Sequence, residues 1–224
     1  MRHGQARLLR PAIPPHDSRG EGGATRERLL NTAIRLFSQR GFEHVAVRDI
    51  CRDAGANLAA VNYHFGDKLG LYMAVVDVAV GIALEVNALT MLAGTLDSAE
   101  DRFRHYVHVY VGQLMNVDAR TSWCHELIQH EQVDPTPAAS VFFEKAIRPR
   151  IAYLGGVVAD LIGCPADDPR VSRSVASVQA QCLFYRPDPF RVAVLGEWPV
   201  RGDSARAVAE HIIAFSLAGI RAIK

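Results

Sequence analysis

Apolar positions recur at steps of three and four residues along nearly the whole chain, the period of amphipathic helices, and no sustained alternation competes with it. The pattern is sharpest in VRDICRDAGANLAAVNYHF, residues 47–65. Val47, Ile50 and Cys51 share one helical face and Leu58, Val61 and Phe65 share another, so two short helices are expected to pack face to face. Gly55 stands just past the first, where a helix end often needs positive φ, and Asn57 suits the N-cap of the second. The second helix leaves Ala59, Ala60, Asn62, Tyr63 and His64 outward. These are small or hydrogen-bonding groups able to approach base edges, Asn by pairing with adenine and Ala by meeting thymine methyls. Upstream, residues 25–40 predict a strongly amphipathic helix with the stripe Leu29, Leu30, Ala33, Ile34, Phe37 and Ser38. Thr25 is its expected N-cap, with Arg28 rather than Glu three residues on, and Gly41 marks its end. Three helices in about 45 residues make a compact helix-turn-helix unit of the kind that reads DNA.

Beyond Lys68 the periodicity predicts helices over 67–93, 98–117 and 121–131, so the fold class is all-α. A longer helix follows over 137–162, with a kink expected at Ile147-Arg148-Pro149 because an interior proline loses a backbone hydrogen bond. Residues 163–169 and 186–203 read as breaks. The last two helices, over 170–185 and 203–222, carry the stripes Val171, Val175, Val178, Cys182 and Ile212, Phe215, Ser216, Gly219, in which small residues mixed with large ones suit close packing.

Charge changes the picture more than bulk composition does. With 224 residues, 49% hydrophobic and 22% charged, the chain suffices for one sizeable core or two small domains. Its net charge is only +1. Residues 1–70 hold 11 Lys plus Arg against 7 Asp plus Glu, and the remainder 14 against 17, so the N-terminal end is basic and the rest mildly acidic. An architectural protein that coats DNA without sequence preference is the alternative within nucleic-acid binding, and +1 does not supply the positive excess it needs. Residues 1–23, rich in Arg, Pro and Gly, predict a disordered arm without the apolar run of a signal peptide. Its Arg2, Arg7, Arg10 and Arg19 are available to phosphate or a minor groove, but a solvated tail is the simpler reading. No segment holds the ~18 to 20 uninterrupted apolar residues of a membrane span, so no membrane partner is expected. Cys51, Cys124, Cys164 and Cys182 form no CxxC pair, which predicts neither a zinc site nor a disulfide framework and points to a reducing cytoplasm.

An enzyme finds little footing. Its best candidate is a metal-dependent site at His125 and Glu126 with His130, near His105 and His108. His125 and His130 are five residues apart, about 140° around a regular helix, whereas a zinc-protease helix needs two His four apart. His105 and His108 are close enough to share a metal, but Tyr106 and Tyr110 around them suit a helix surface or pocket wall. There is no GxSxG, P-loop or Rossmann glycine pattern, and no metal or cofactor is expected.

The run ATRERLLNTAIRLFSQRGFEHVAVRDICRDAGANLAAVNYHFGDKLGLYMAVV closely resembles the N-terminal domain of TetR-family transcriptional regulators. Arg40, Gly41, Phe42, Val47, Arg48, Asp49, Ile50, Ala54, Gly55, Tyr63, His64, Phe65 and Lys68 all stand in register with the family pattern. The resemblance implies that Arg48, Asn57, Ala59, Asn62, Tyr63 and His64 lie toward the groove or the adjoining backbone, while Thr25 and Lys68 contact phosphate. One departure is that Val45 and Ala46 stand where relatives carry Thr or Ser, which removes a hydroxyl cap and phosphate ligand, with His44 the nearest polar side chain. WCHELIQHEQVDPTPA, FFEKAIRPRIAYLGGVVADLIGCPADDPRV, QCLFYR and HIIAFSLAGIRAI extend the likeness to the CecR-like subfamily, and His125 replaces the Arg usual in relatives.

That likeness implies three regions: an arm over 1–23, a DNA-binding domain over 24–70, and an α-helical effector-binding and dimerisation domain over 71–224. It further implies a homodimer through the last two helices on a palindromic double-stranded operator, with repression as the family's common output. A small-molecule effector in the helical body would shift the fourth helix and release the DNA. Tyr106, Tyr110, Trp123, Glu126, Phe143 and Arg148 are the candidate pocket residues, since aromatic walls with a few polar groups suit a drug-like guest. Core packing or a surface ion pair is the simpler role for each.

Overall fold

The computed structural model of the protein describes residues 21–92, 98–116, 121–187, 193–194, 196 and 204–224. The four arm arginines lie outside them. Every regular element among the described residues is helical: α1 (Glu21–Arg40), α2 (Val47–Ala54), α3 (Leu58–Phe65), α4 (Lys68–Met91), α5 (Ala99–Met115), α6 (Ser122–Val133), α7 (Pro137–Phe142), α8 (Arg148–Ile162), α9 (Pro169–Phe184) and α10 (Ala205–Ala222). A π-helical turn, Phe143–Ile147, joins α7 to α8.

Two expectations about helix ends are corrected. Helix α1 begins at Glu21, inside the expected arm, so Thr25 is an interior residue and not an N-cap. Gly22 and Gly23 fall in the first turn, whose N–H groups have no intrahelical partner in any case. The irregularity expected at 147–149 lies earlier, in the π turn, and leaves Pro149 in the first turn of α8. In a regular helix the Pro149 ring would press on the carbonyl of Lys145 and leave it without a donor. The wider π turn relieves that register, and Pro149 sits where its missing N–H costs least.

Contacts divide the described residues into two compact units. One runs to Ile82 and resumes through α6 and α7 to Phe142; the other takes Ala83–Asn116 and everything from Phe143. In the first unit α1 packs on α2, α3 and α6. Its core includes Leu29, Ala33, Ile34, Phe37, Ile50, Val61, Leu71, Tyr72 and Val75. Phe37, Phe42 and Tyr72 form an aromatic knot, with Tyr72 edge-on to Phe37 at 4.9 Å and tilted on Phe42 at 4.9 Å. The Tyr72 hydroxyl donates to Oε1 of Glu131 on α6, and the same carboxylate accepts from the Thr136 N–H at 2.9 Å. His130 Nε2 meets the Ser38 carbonyl at 3.0 Å, near the C-terminal end of α1. Two of these bonds fasten α6 to α4 and α1, and the third ties the following turn to α6.

In the second unit α5 packs most extensively on α10, and also on α8 and α9. Its core holds Phe103, Tyr106, Tyr110, Leu154, Val158, Val178, Cys182, Ile212 and Ile213. The α9 stripe Val171, Val175, Val178 and Cys182 is therefore interior to this unit. The α10 stripe splits: Ile212 and Ser216 point inward, whereas Phe215 is 65% exposed and Gly219 is exposed.

α4 corrects the membrane criterion. It is the one described helix long and apolar enough to cross a membrane by length and composition, with mean hydropathy 2.0, although Asp77 and Glu85 break the apolar run. Leu71, Tyr72, Val75, Val76, Ala79 and Val80 are buried along its first half, which is how a core helix passes the same test.

The turn into α4 admits only glycine at one point. A Cβ on Gly70 would stand 1.9 Å from the Phe65 carbonyl oxygen, and Asp67 Oδ1 accepts the Gly70 N–H at 2.7 Å, capping the helix at that spot. Gly70→Ala must displace backbone, so we expect a loss of about 3 kcal/mol, seen as a melting point roughly 6–12 °C lower; a melt within a degree or two of wild type would show that the turn relaxes freely. The opposite sign is expected at Ala46, the N-cap of α2, which has φ −89° and ψ 141° and no side-chain hydrogen bond. Its backbone already has cap geometry, so Ala46→Ser should add about 1 kcal/mol in a denaturant titration, and an unchanged midpoint would mean the hydroxyl finds no N–H there.

Candidate nucleic-acid interface

Helices α2 and α3 are held at a sharp turn by local chemistry. Gly55 closes α2 at φ 60° and ψ 42°, with its N–H on the Arg52 carbonyl. Asn57, extended at φ −113°, caps α3 by accepting the Ala60 N–H on Oδ1 at 2.9 Å. That bond uses one lone pair of the Asn57 carbonyl oxygen and leaves its NH₂ group to donate outward. On α3, Val61 is fully buried and Ala59, Asn62 and Tyr63 are exposed, Tyr63 at 85%. These three span about 100° of helix arc, with Val61 on the far side. The half-buried His64 stands edge-on to Tyr63 at 4.9 Å. A tyrosine this exposed, beside an exposed asparagine and an exposed alanine, makes a face suited to contact with another molecule.

The charges around this face fall into two groups. Arg35 pairs with Asp53 at 2.8 Å, and Arg52 with Asp49 at 2.9 Å and Asp53 at 3.3 Å. The Arg35 hydrogen bond holds the Asp53 carboxyl below its usual range, with Arg52 adding to the effect. Arg28 reaches from α1 to the Ala54 carbonyl at the end of α2 and also donates to the Thr25 hydroxyl at 3.1 Å. By contrast, Arg48 is exposed with no carboxylate partner among the described residues. Lys68, the first residue of α4, holds its ammonium 4.2 Å over the Phe42 ring. A positive group at a helix N-terminus, positioned by an aromatic ring, has the chemistry to attract an anion. Between α2 and the start of α3 lies an open groove of about 560 Å³ lined by Ala46, Arg48, Cys51, Arg52 and Leu58.

The six residues named for an effector pocket are divided between the two units. Trp123 is buried and Glu126 exposed in the first unit. In the second, Arg148 pairs with Glu144 at 2.8 Å on the surface and stacks over the exposed Phe143 at 5.7 Å. Tyr106 and Tyr110 alone come together, at 5.8 Å in the core of the second unit. Their neighbours are ones that sequence reasoning passed over: Tyr153 stacks on Tyr106 at 6.3 Å, the buried Gln179 donates to the Tyr106 hydroxyl at 2.6 Å, and Arg150 lies 4.0 Å over the Tyr110 ring. Arg148 and Arg150 are two residues apart, about 200° around a helix, so one faces solvent when the other faces the body. Burial pushes the Tyr106 and Tyr110 hydroxyls upward and the Cys182 thiol to about 12, so all three are uncharged at neutral pH. The histidines weighed for a metal are engaged separately, His105 with the Leu89 carbonyl at 3.0 Å and His108 with Glu210 at 3.0 Å.

Known proteins match both parts of the chain. Residues 29–75 match the family "Bacterial regulatory proteins, tetR family", and residues 99–220 match "HTH-type transcriptional dual regulator CecR, C-terminal domain". The HTH-type transcriptional dual regulator CecR of Shigella flexneri is 25% identical over 174 residues, 74% of this chain and 77% of its own. The fold is shared with a tetR-family regulatory protein from Rhodococcus RHA1, with TM-score 0.61 and 16% identity over 88% of this chain and 96% of that one. It is shared equally with AibR, solved with isovaleryl coenzyme A and operator DNA, with TM-score 0.60 and 16% identity over 85% of this chain and 97% of that one. The exposed reading face of α3 and these two family matches, which together span most of the described chain, lead to one conclusion: the protein belongs to the TetR family of DNA-binding transcriptional regulators, a non-enzymatic family, and carries a CecR C-terminal domain.

Proposed function

We propose that the protein binds a palindromic operator as a homodimer, represses transcription there, and is released by a small-molecule effector held in its helical body. The observation that carries the reading is the face of α3, where Asn62 and Tyr63 stand exposed above the fully buried Val61. Asn62, Tyr63, Ala59 and His64, with Arg48 and the free amide of Asn57, face the groove and its adjoining backbone; Lys68 and Thr25 hold phosphates. Residues 24–70 do the reading, and 71–224 sense and dimerise. Four free cysteines and a DNA target support a cytoplasmic location.

Dimerisation is supported by the outer faces of α9 and α10. Phe215, Gly219, Ser177 and Gln181 line a cleft of about 350 Å³ there, with Gln181 donating to Ser216 at 3.2 Å. Two recognition helices need a separation of roughly 34–36 Å to read successive turns, which a paired body supplies. AibR, solved with both a ligand and operator DNA, lends the effector reading its analogy. α4 contributes to both compact units, so an effector that shifts it changes how the heads are held. A preference of ~1–3 kcal/mol for the released state alters operator affinity roughly 5- to 150-fold.

Selection from random DNA with the purified protein should enrich a palindrome; binding without a motif at moderate salt would favour the non-specific alternative. On the selected site Asn62→Ala should relax preference at one position by ~1–3 kcal/mol, while Lys68→Ala should weaken selected and random DNA alike. Equal loss on both for Asn62→Ala would remove it from the base readers. Phe215→Glu should give a monomer by sedimentation with operator affinity lost, because a charge on an exposed phenylalanine disrupts a buried interface but leaves an isolated helix face intact. A stable Phe215→Glu dimer would place the interface elsewhere.

A further inference from the structure

Several arginines of the second unit pair with carboxylates. Arg102 pairs with Asp160 at 2.8 Å, Arg104 and Arg221 with Glu100 at 2.9 and 2.7 Å, Arg148 with Glu144 at 2.8 Å, and Arg170 with Asp168 at 2.9 Å. Arg150 is different. Its guanidinium lies 4.0 Å over Tyr110 with Tyr106 and Cys182 close by, Tyr106 in turn contacts Tyr153 and Gln179, and no carboxylate among the described residues pairs with Arg150. This is where an uncompensated charge costs most, because aromatic rings and neutral amides replace its water without supplying an opposite charge. The ring face of Tyr110 and a hydrogen bond with its hydroxyl offset part of that cost, but a single hydroxyl supplies no opposite charge and leaves most of the guanidinium edge, the part that forks onto an anion, unpaired. Arg150 is only partly buried, so that edge is reachable. A second group nearby is also unsatisfied: the Tyr153 hydroxyl, stacked against Tyr106, is shut from solvent and has no hydrogen-bond partner.

We propose that Arg150 receives the anionic group of the effector, which makes that effector an organic anion, a carboxylate or sulfonate attached to an aromatic or apolar body. The assignment rests on the effector reading above and names its ligand class. The guanidinium takes the two oxygens of the anion in a fork, Tyr153 stands by as a further donor, and the buried Tyr106–Tyr110 pair forms the apolar wall behind them. Gln179 holds the Tyr106 ring in place through its 2.6 Å hydrogen bond. The surface pair Arg148–Glu144 plays no part in this, being already neutralised.

The test uses the full-length protein with 8-anilinonaphthalene-1-sulfonate and its neutral counterpart N-phenyl-1-naphthylamine, which has the same rings without the sulfonate. Arg150→Met should weaken the sulfonate probe about tenfold and leave the neutral probe within about twofold, with Arg150→Lys in between. Equal losses for both probes would mean Arg150 serves packing only, and an unchanged sulfonate affinity would mean that it does not touch the anion; either overturns the proposal. Should Arg150→Met not fold, wild type decides: naphthalene-1-sulfonate should displace the bound probe at least about tenfold more effectively than 1-naphthalenemethanol, and equal displacement overturns the proposal. If the neutral probe binds as well as the charged one, only the anion assignment falls. If neither binds, the effector-binding body falls with it.

Discussion

The first unit depends on how closely α4 starts beside the end of α3. With the Gly70 Cα in contact with the Phe65 carbonyl, there is no room for a side chain, and the angle at which α4 leaves is fixed by that contact. From that angle Tyr72 reaches the Phe37–Phe42 pair and Lys68 comes to lie over Phe42. The same geometry backs α3 against the core through Val61 and thereby turns Asn62 and Tyr63 outward. A reading face of eight residues has little packing energy of its own. Its rigidity is borrowed from the turns at either end, Asn57 capping the start and the Phe65–Gly70 approach closing the finish.

Electrostatics sort the arginines into two working classes. Those paired with Asp or Glu, such as Arg35 with Asp53 and Arg102 with Asp160, stitch helices together at exposed or half-exposed sites where each pair contributes little by itself. Arg48 and Arg150 lack such partners among the described residues. One is exposed near the start of α2, where a phosphate would meet it in water; the other is laid against an aromatic ring in the helical body, where an anion would meet it with much of the water excluded. The asymmetry follows from the surroundings and not from the residue type.

α9 and α10 each carry two faces. The larger apolar side chains, Val171, Val178, Ile212 and Ile213, close the core of the second unit. Phe215 and Gly219 are left on the outer side with Ser177 and Gln181 of α9. An apolar ring on such a mixed face of small and polar groups resembles the centre-and-rim composition of protein interfaces more than it resembles a core.

Much of this was legible in the residues themselves. The helical period, Gly55 with Asn57 as a stop and a start, and the split of α3 into Val61 beneath and Asn62 with Tyr63 above follow from local rules, because a 3.6-residue repeat and a capping side chain act within a few positions. Local rules failed where two stretches distant in sequence meet or where a register must be chosen. Thr25 looked like a helix start only because nothing in the sequence shows α1 continuing back to Glu21. Pro149 announced an irregularity, but the π turn that absorbs it lies upstream at Phe143–Ile147. The α9 stripe announced a buried face without saying that its partners are α5 and α8 of the same chain. Arg148 and Arg150 are equivalent as letters. Which of them points at Tyr110 depends on the rotation of α8 against α5, a quantity set by packing across some forty residues of intervening chain, and only the tertiary structure decides it.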